Sequence, residues 1–464
     1  MTLHPLDWTI VGAFFAFQAY LGFRSRRVPR RMDAADYLLG GRRLTLPVFV
    51  ASLVSTWYGG ILGVGEYSFK YGISNWLVFG VPYYLWATIF ALFLARPTRR
   101  THFISLPDHL GAAYGRTPAL MGAIIVFVMT VPAAYVLILG DLGRMLLNWP
   151  TWVGATLSVV LSSVYLITGG FRSAVRVDVL QFLCMLVGFA LILPFAFHQY
   201  GGWSFIAGHV PATHLTWHGG NSGWFVLSWY FIAATTMVEP AFYQRCYATE
   251  TEQIARKGIF WSIAFWVVFD FMTTTAGLYA RAAIADLRDP KTAYVALATR
   301  LLPPGVLGLF MVGVIATAVS TVDSYMFISA TALGRDLLSR LRPLTDHGVK
   351  TATRWGVVVS SASAVTLALS STSVIALWRD LGSIGVPALL LPVIASFVPR
   401  LRRPPARAVI FWIACPATVA ALWIGTRIVR GSYPYGIEPI FPALMVSIAF
   451  AVALIRTKSG ARGS

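Results

Sequence analysis

The sequence predicts an all-α polytopic membrane protein with about thirteen transmembrane helices. Three observations predict it. Hydrophobic residues make up 57% of the 464 positions and charged residues only 12%, with a mean hydropathy of +0.68; an ordinary soluble domain is about 25% charged. Nearly the whole length divides into apolar runs of bilayer-spanning size, and helices satisfy their own backbone groups in lipid. The net charge of +19 is concentrated in alternate links. That is the asymmetry of a cytoplasmic side rather than the footprint of a nucleic-acid partner.

Span 1 is predicted at about 6–23. Its basic flank, Arg24 to Arg31, follows it rather than precedes it. It reads as an anchor with the N-terminus outside, not as a cleaved leader. Span 2 (about 46–67) carries Ser55, Thr56, Trp57, Tyr58, Gly59 and Gly60, then Gly63 and Gly65. Four glycines in one span fit either close packing or a local break, and a break exposes carbonyls that must line a cavity or bind an ion. Span 3 (about 75–95) returns to Arg96, Arg99 and Arg100, and an amphipathic stretch at 105–115 lies along the cytoplasmic surface. Span 4 (about 118–147) holds Pro132 and an Asp141–Arg144 pair.

Span 5 (about 151–168) turns at Gly169 to Ser173 into span 6 (about 174–197). Asp178 lies one turn inside the cytoplasmic end of span 6, where a first-turn carboxylate is favoured by the helix dipole. The outer loop 198–222 holds His198, His209, His214 and His218 at no metal-ligand spacing. Span 7 (about 223–244) contains Tyr230, Thr235, Thr236, Glu239 and Pro240. An acid followed by proline in mid-span marks a second break. Span 8 (about 258–283) has Asp270 in its middle, and span 9 covers about 305–336. Spans 10 (about 355–371) and 11 (about 380–398) form a hairpin. Spans 12 (about 408–426) and 13 (about 437–455) leave the C-terminus on the cytoplasmic side of the cell membrane. Cys184, Cys246 and Cys415 form no CxxC pair and no disulfide framework.

The chain divides into an N-terminal helix and link (1–45), a first five-helix unit (46–198), an outer loop with a second five-helix unit (199–398), and two accessory helices with a tail (399–464). Each five-helix unit opens on a candidate broken helix, Gly59-Gly60 or Glu239-Pro240. An odd number of spans per unit gives the units opposite topology, the inverted-repeat plan of many secondary transporters.

Span 9 is apolar at both ends and polar in the middle. Thr317, Ser320, Thr321 and Ser324 share one helical face, with Asp323 beside it. A column of hydroxyls and carbonyls at membrane depth suits a small hard cation, and an intramembrane acid is a functional candidate. The competing reading is that these hydroxyls join helices through interhelical hydrogen bonds.

Four motifs in order resemble the sodium:solute symporter family, over roughly residues 30–400. Asp36-Tyr37-Leu38-Leu39-Gly40-Gly41-Arg42 looks like the link before its first core helix. Gly169, Gly170, Asp178 and Gln181 match its paired glycines followed by an acid and a glutamine. Gln244-Arg245-Cys246-Tyr247-Ala248 and Ser320-Thr321-Val322-Asp323-Ser324 match two further segments.

The resemblance implies the leucine-transporter type of five-plus-five inverted-repeat fold, alternating access and a co-transported sodium ion. Carried over residue by residue, the sodium site would use backbone oxygens of Ser55, Tyr58 and Thr317 and the hydroxyls of Ser320 and Thr321. Asp178 would face Thr317, Ser320 and Thr321 as ligand of a second sodium. Sugar-transporting members are polar after the first break; here Ile61 and Leu62 follow Gly60, which argues against a sugar. Glu239 could take a cationic or amino group or accept hydroxyl hydrogens; the competing readings are a protonated, inert acid or one pointing to the inner mouth. Trp57, Tyr58 and Tyr230 could supply aromatic walls, with Gly59 and Thr236 beside the same cavity.

The reading is a symporter importing a small polar or charged solute. The alternative is a proton-coupled transporter or a membrane sensor on the same fold. An intramembrane enzyme would need clustered His, Asp and Glu or a nucleophile with its base, and the spans offer neither.

Overall fold

The computed structural model describes residues 3–24, 33–371, 373–398 and 404–460. The basic flank after span 1, most of the link at 399–403 and the last four residues lie outside the described residues. Among the described residues the regular structure is helical, with one isolated bridge between Leu44 and Thr249.

Among the described residues, ten helices are long and apolar enough to cross a membrane, or eleven when the bent pair Leu46–Trp57 and Ile61–Tyr71 counts as one crossing. The expected thirteen is not reached by that measure. Two features account for the difference. Spans 5 and 6 are two helices within Thr151–Tyr200 that meet at the expected turn, at Gly170 (φ 58°, ψ −146°), with no gap between them, so a count by length takes them as one. The last helix, Ile440–Gly460, offers a shorter apolar stretch, Ile440–Leu454.

The Gly170 conformation is open to glycine and strained for other residues. A Cβ there would also lie 2.5 Å from the Tyr37 carbonyl oxygen. The link motif is thereby explained. Tyr37 is buried with its hydroxyl donating to the Leu166 carbonyl (3.0 Å), and Arg42 donates to the carbonyls of Tyr247 and His102 (3.1 and 2.6 Å). It ties span 2 to the turn between spans 5 and 6 and to the inner end of span 7.

Both expected breaks are present. Span 2 bends by 59° across Tyr58–Gly60. Span 7 runs as α-helix over Gly223–Ile232, tightens to 3-10 over Ala233–Val238, becomes extended at Glu239 and resumes at Pro240–Ala248. Proline at the first position of the resumed helix costs no hydrogen bond, and the Glu239 side chain caps it by accepting from the Ala241 amide (3.3 Å).

Span 9, Val306–Thr331, is almost wholly buried at the centre of the molecule. It packs along Thr151–Tyr200, where Gly188 and Gly313 bring the backbones together; a Cβ on either would lie 3.0 Å from the other's Cα. Span 1 is fastened to its N-terminal end. Asp7 is buried and accepts from the amides of Gly305 and Gly308 (2.7 and 2.8 Å).

Candidate functional site

The span 2 break meets the polar column of span 9. A helix that stops leaves its last carbonyls without intrahelical donors. Here two are met from span 9: Ser320 Oγ donates to the Ser55 carbonyl at 2.7 Å and Thr321 Oγ1 to the Thr56 carbonyl at 2.6 Å. The same hydroxyls lie 2.9 and 3.2 Å from the Thr317 carbonyl. Ser55, Thr317, Ser320 and Thr321 are all fully buried. Of the five residues assigned from the resemblance, four therefore converge. The fifth, Tyr58, assigned by its backbone oxygen, caps the first half-helix, and its side-chain hydroxyl donates to the Trp266 carbonyl (3.0 Å). The carbonyl that answers Thr321 belongs to Thr56, which the sequence did not single out. Gly59 is required by contact: a Cβ there would lie 2.2 Å from Thr321 Oγ1.

Asp178 stands elsewhere. It lies two turns past the Gly170 kink, so it is not a helix cap. Its Oδ2 accepts from Ser52 Oγ at 2.5 Å and lies 3.5 Å from Arg245, both charges being fully buried. Arg245 also donates to Ser52 Oγ (3.1 Å), Thr56 Oγ1 (2.7 Å) and Ser324 Oγ (2.7 Å). A guanidinium thus sits at the foot of the hydroxyl column, joining the inner half of span 7 to spans 2, 6 and 9. The glutamine–arginine motif contained this residue, but nothing local shows that an arginine near a helix end is drawn wholly inside. Asp323 faces away from the column, with Oδ2 3.4 Å from Gln181 Nε2.

On the other side of the break is a cavity of about 140 Å³. Its wall includes Trp57, Tyr83, Tyr135, Tyr325 and Trp378, the acids Glu239 and Asp270, and Thr235. Trp57 and Glu239 are where the sequence placed them, and Tyr58 also lines the wall. Thr236 is fully buried off the cavity and its neighbour Thr235 takes the wall position. Tyr230 lies outside it too, with its carbonyl accepting from Trp86 Nε1 (2.8 Å). The 3-10 turn over Ala233–Val238 rotates the faces of span 7 away from those of a continuous α-helix. Tyr135, Tyr325 and Trp378 come from spans 4, 9 and 11, with no shared local signal.

Comparison with known proteins bears on this arrangement. The family model for the sodium:solute symporter family matches residues 37–406. The chain belongs to the sodium:solute symporter family. Its similar relatives include the human high affinity choline transporter 1, 26% identical over 376 residues, or 74% of this chain and 63% of that one. The chain thus spans less than two thirds of that relative. The sodium/pantothenate symporter of Escherichia coli is 25% identical over 74% of this chain and 73% of its own. An osmoregulated proline transporter of Bacillus subtilis is 24% identical over 98% of this chain and 95% of its own. A solved sodium-coupled sialic acid symporter, in a substrate-bound outward-open state, shares the fold: TM-score 0.78 at 15% identity, over 97% of this chain and 98% of that one. Mhp1, a nucleobase-cation-symport-1 family transporter, matches at TM-score 0.57 and 14% identity over 90% of this chain and 94% of that one. The leucine-transporter type of fold expected of this family is the fold of the chain.

Proposed function

We propose that this protein is a sodium-coupled symporter importing a small cationic or amine-bearing solute. Sodium is the co-transported ion, bound where Ser320 and Thr321 meet the carbonyls of Ser55, Thr56 and Thr317. The observation that carries the reading is the adjacency of that oxygen cluster to an acidic, aromatic cavity across one three-residue break, Tyr58–Gly60. Neutral oxygens hold a monovalent cation weakly enough to release it. In the cluster, neighbouring oxygens stand 2.6–3.2 Å apart as hydrogen-bond partners. Oxygens about 2.4 Å from a cation, by analogy with hard-cation sites, stand further apart. Sodium binding therefore turns the hydroxyl protons outward and opens the joint between spans 2 and 9. The same joint holds Trp57 and Tyr58 in the cavity wall, which links ion to solute. The units 46–198 and 199–398 alternate access around it, with the N-terminus outside and the C-terminus cytoplasmic.

The solute class rests on the lining. Glu239 and Asp270 are the charged residues of the wall, and it contains no Lys, Arg or His. A carboxylate solute of the pantothenate kind would meet two acids and no counter-charge. A cation meets both acids and the faces of several rings, each ring contributing about 0.5–2 kcal/mol. The choline transporter among the relatives agrees with this chemistry. Asp178 as ligand of a second sodium is less favoured, because Arg245 already supplies its positive charge.

The test is a thermal-shift screen of purified protein against choline, proline and pantothenate, each in NaCl and in KCl, followed by uptake into proteoliposomes under a sodium gradient. A selectively bound solute raises the melting point by mass action. Sodium-dependent stabilisation and uptake of choline or a related amine is expected. Pantothenate-selective binding, or uptake indifferent to sodium, would overturn the reading.

A further inference from the structure

Span 11, which begins earlier than its apolar run suggests and covers Val374–Phe397, carries a cavity residue on one face and a charge cluster on the other. Trp378 lines the cavity and seats against the span 2 break so closely that a Cβ on Gly60 would lie 1.5 Å from its ring. Its ring stands 6.3 and 6.0 Å from those of Tyr135 and Phe79, which border the same cavity. The next two residues point round the helix, away from the cavity. Arg379 pairs with Glu438 at 3.3 Å, and Asp380 pairs with Arg427 at 2.5 Å and accepts from the Tyr433 hydroxyl at 3.1 Å. Both guanidinium groups lie over the Tyr433 ring, 5.1 and 5.3 Å from its centre. Tyr433 and Glu438 belong to the connection between the two accessory helices. Every charged member of the cluster is less than a quarter exposed. Immediately below, Gly382, Gly385 and Pro387 weaken span 11; proline removes an intrahelical hydrogen bond and allows a bend.

We infer that Arg379 and Asp380 are positioning residues for the solute cavity: paired to the connection between the accessory helices, they hold Trp378 in the cavity wall against Gly60. The accessory helices, which lie outside the two five-helix units, thereby govern how readily the cavity opens. The proposal takes the cavity from the reading above but is tested without solute or sodium dependence, so it stands or fails separately from symport.

The test places Thr235→Cys in the wall, in a background with Cys184→Ser and Cys415→Ser; Cys246 is fully buried. The rate of alkylation by a membrane-impermeant maleimide is measured in proteoliposomes. Asp380→Asn is expected to raise that rate about 10-fold, equivalent to about 1.4 kcal/mol. Asp380→Glu keeps the charge and keeps the rate, and the swap Asp380→Arg with Arg427→Asp restores it. In a Trp378→Ala background, Asp380→Asn adds nothing, because it acts through the ring. An unchanged rate in Asp380→Asn overturns the proposal. So does the same 10-fold increment with Trp378 absent, which would make the cluster a general support. Should Asp380→Asn not assemble, Tyr433→Phe removes only the 3.1 Å hydrogen bond; an increase of about 2-fold that vanishes with Trp378→Ala supports the assignment, and no increase refutes it.

Discussion

Thr321→Ala isolates one oxygen of the proposed sodium site. Thr321 Oγ1 is fully buried and lies 2.6 Å from the Thr56 carbonyl and 3.2 Å from that of Thr317. Alanine removes that oxygen from the ion. A buried contact between a polar group and a charge contributes about 1.5–3 kcal/mol, so the sodium affinity falls roughly 10- to 150-fold. Alanine also leaves the Thr56 carbonyl without its donor, at a cost of about 1–3 kcal/mol whether or not sodium is present. The absolute melting point is therefore the wrong readout, and the sodium-dependent increment is the right one. Purified protein is unfolded thermally along a series in which NaCl replaces KCl at constant ionic strength. At sodium 100 times the wild-type dissociation constant the stabilisation is about 2.7 kcal/mol. A 30-fold weaker site would give about 0.9 kcal/mol by the same relation. Thr321→Ser keeps the oxygen and is expected to stay within about 3-fold of wild type. Superimposable sodium curves for wild type and Thr321→Ala would refute the site, and the hydroxyls of span 9 would then be helix-joining groups alone.

Three other outcomes are expected. Asp178→Asn leaves the guanidinium of Arg245 buried without its anion, a loss of about 3–5 kcal/mol of stability, and Asp178→Asn with Arg245→Gln recovers part of it in thermal melts; a melting point equal to wild type for the single variant would contradict the pairing. The double variant should also keep the sodium-to-solute ratio in flux measurements, whereas a ratio lowered by one would return Asp178 to the role of a second sodium ligand. Glu239→Gln should raise the half-saturating concentration of a cationic solute at least about tenfold, near 1.4 kcal/mol, while the sodium midpoint stays close to wild type; an unaltered solute curve excludes Glu239 from recognition. In the outer loop, burial holds the His214 imidazole below the usual histidine range, with Nε2 2.9 Å from the Phe69 carbonyl. The unfolded chain binds that proton more readily, so the contribution of His214 is complete above about pH 6.5 and declines as pH falls through the lower folded value. Melting points at pH 8 and pH 5 should differ less in His214→Gln than in wild type.

The sequence determined the membrane class, the two broken helices and most of the hydroxyl column on span 9. Each depends on features that are local in the chain. Bilayer thickness fixes a run length, Gly59-Gly60 and Glu239-Pro240 mark backbone discontinuities, and 3.6 residues per turn put Thr317, Ser320 and Thr321 on one face. The link motif at Asp36 to Arg42 was equally visible, although what Tyr37 and Arg42 bind was not. The tertiary structure decided what lies opposite each of these faces. It packed the turn at Gly170, which the sequence had placed between spans 5 and 6, against the Tyr37 carbonyl. It drew Arg245 inside to Asp178, because a buried charge takes whichever counter-charge the packing brings near, here from 67 positions along the chain. It exchanged Thr236 for Thr235 by tightening span 7 into a 3-10 turn, which changes the angular step between residues. It assembled the aromatic wall from spans 2, 3, 4, 9 and 11. A cavity is the space left between helices, and which rings border it depends on crossing positions that no single helix encodes.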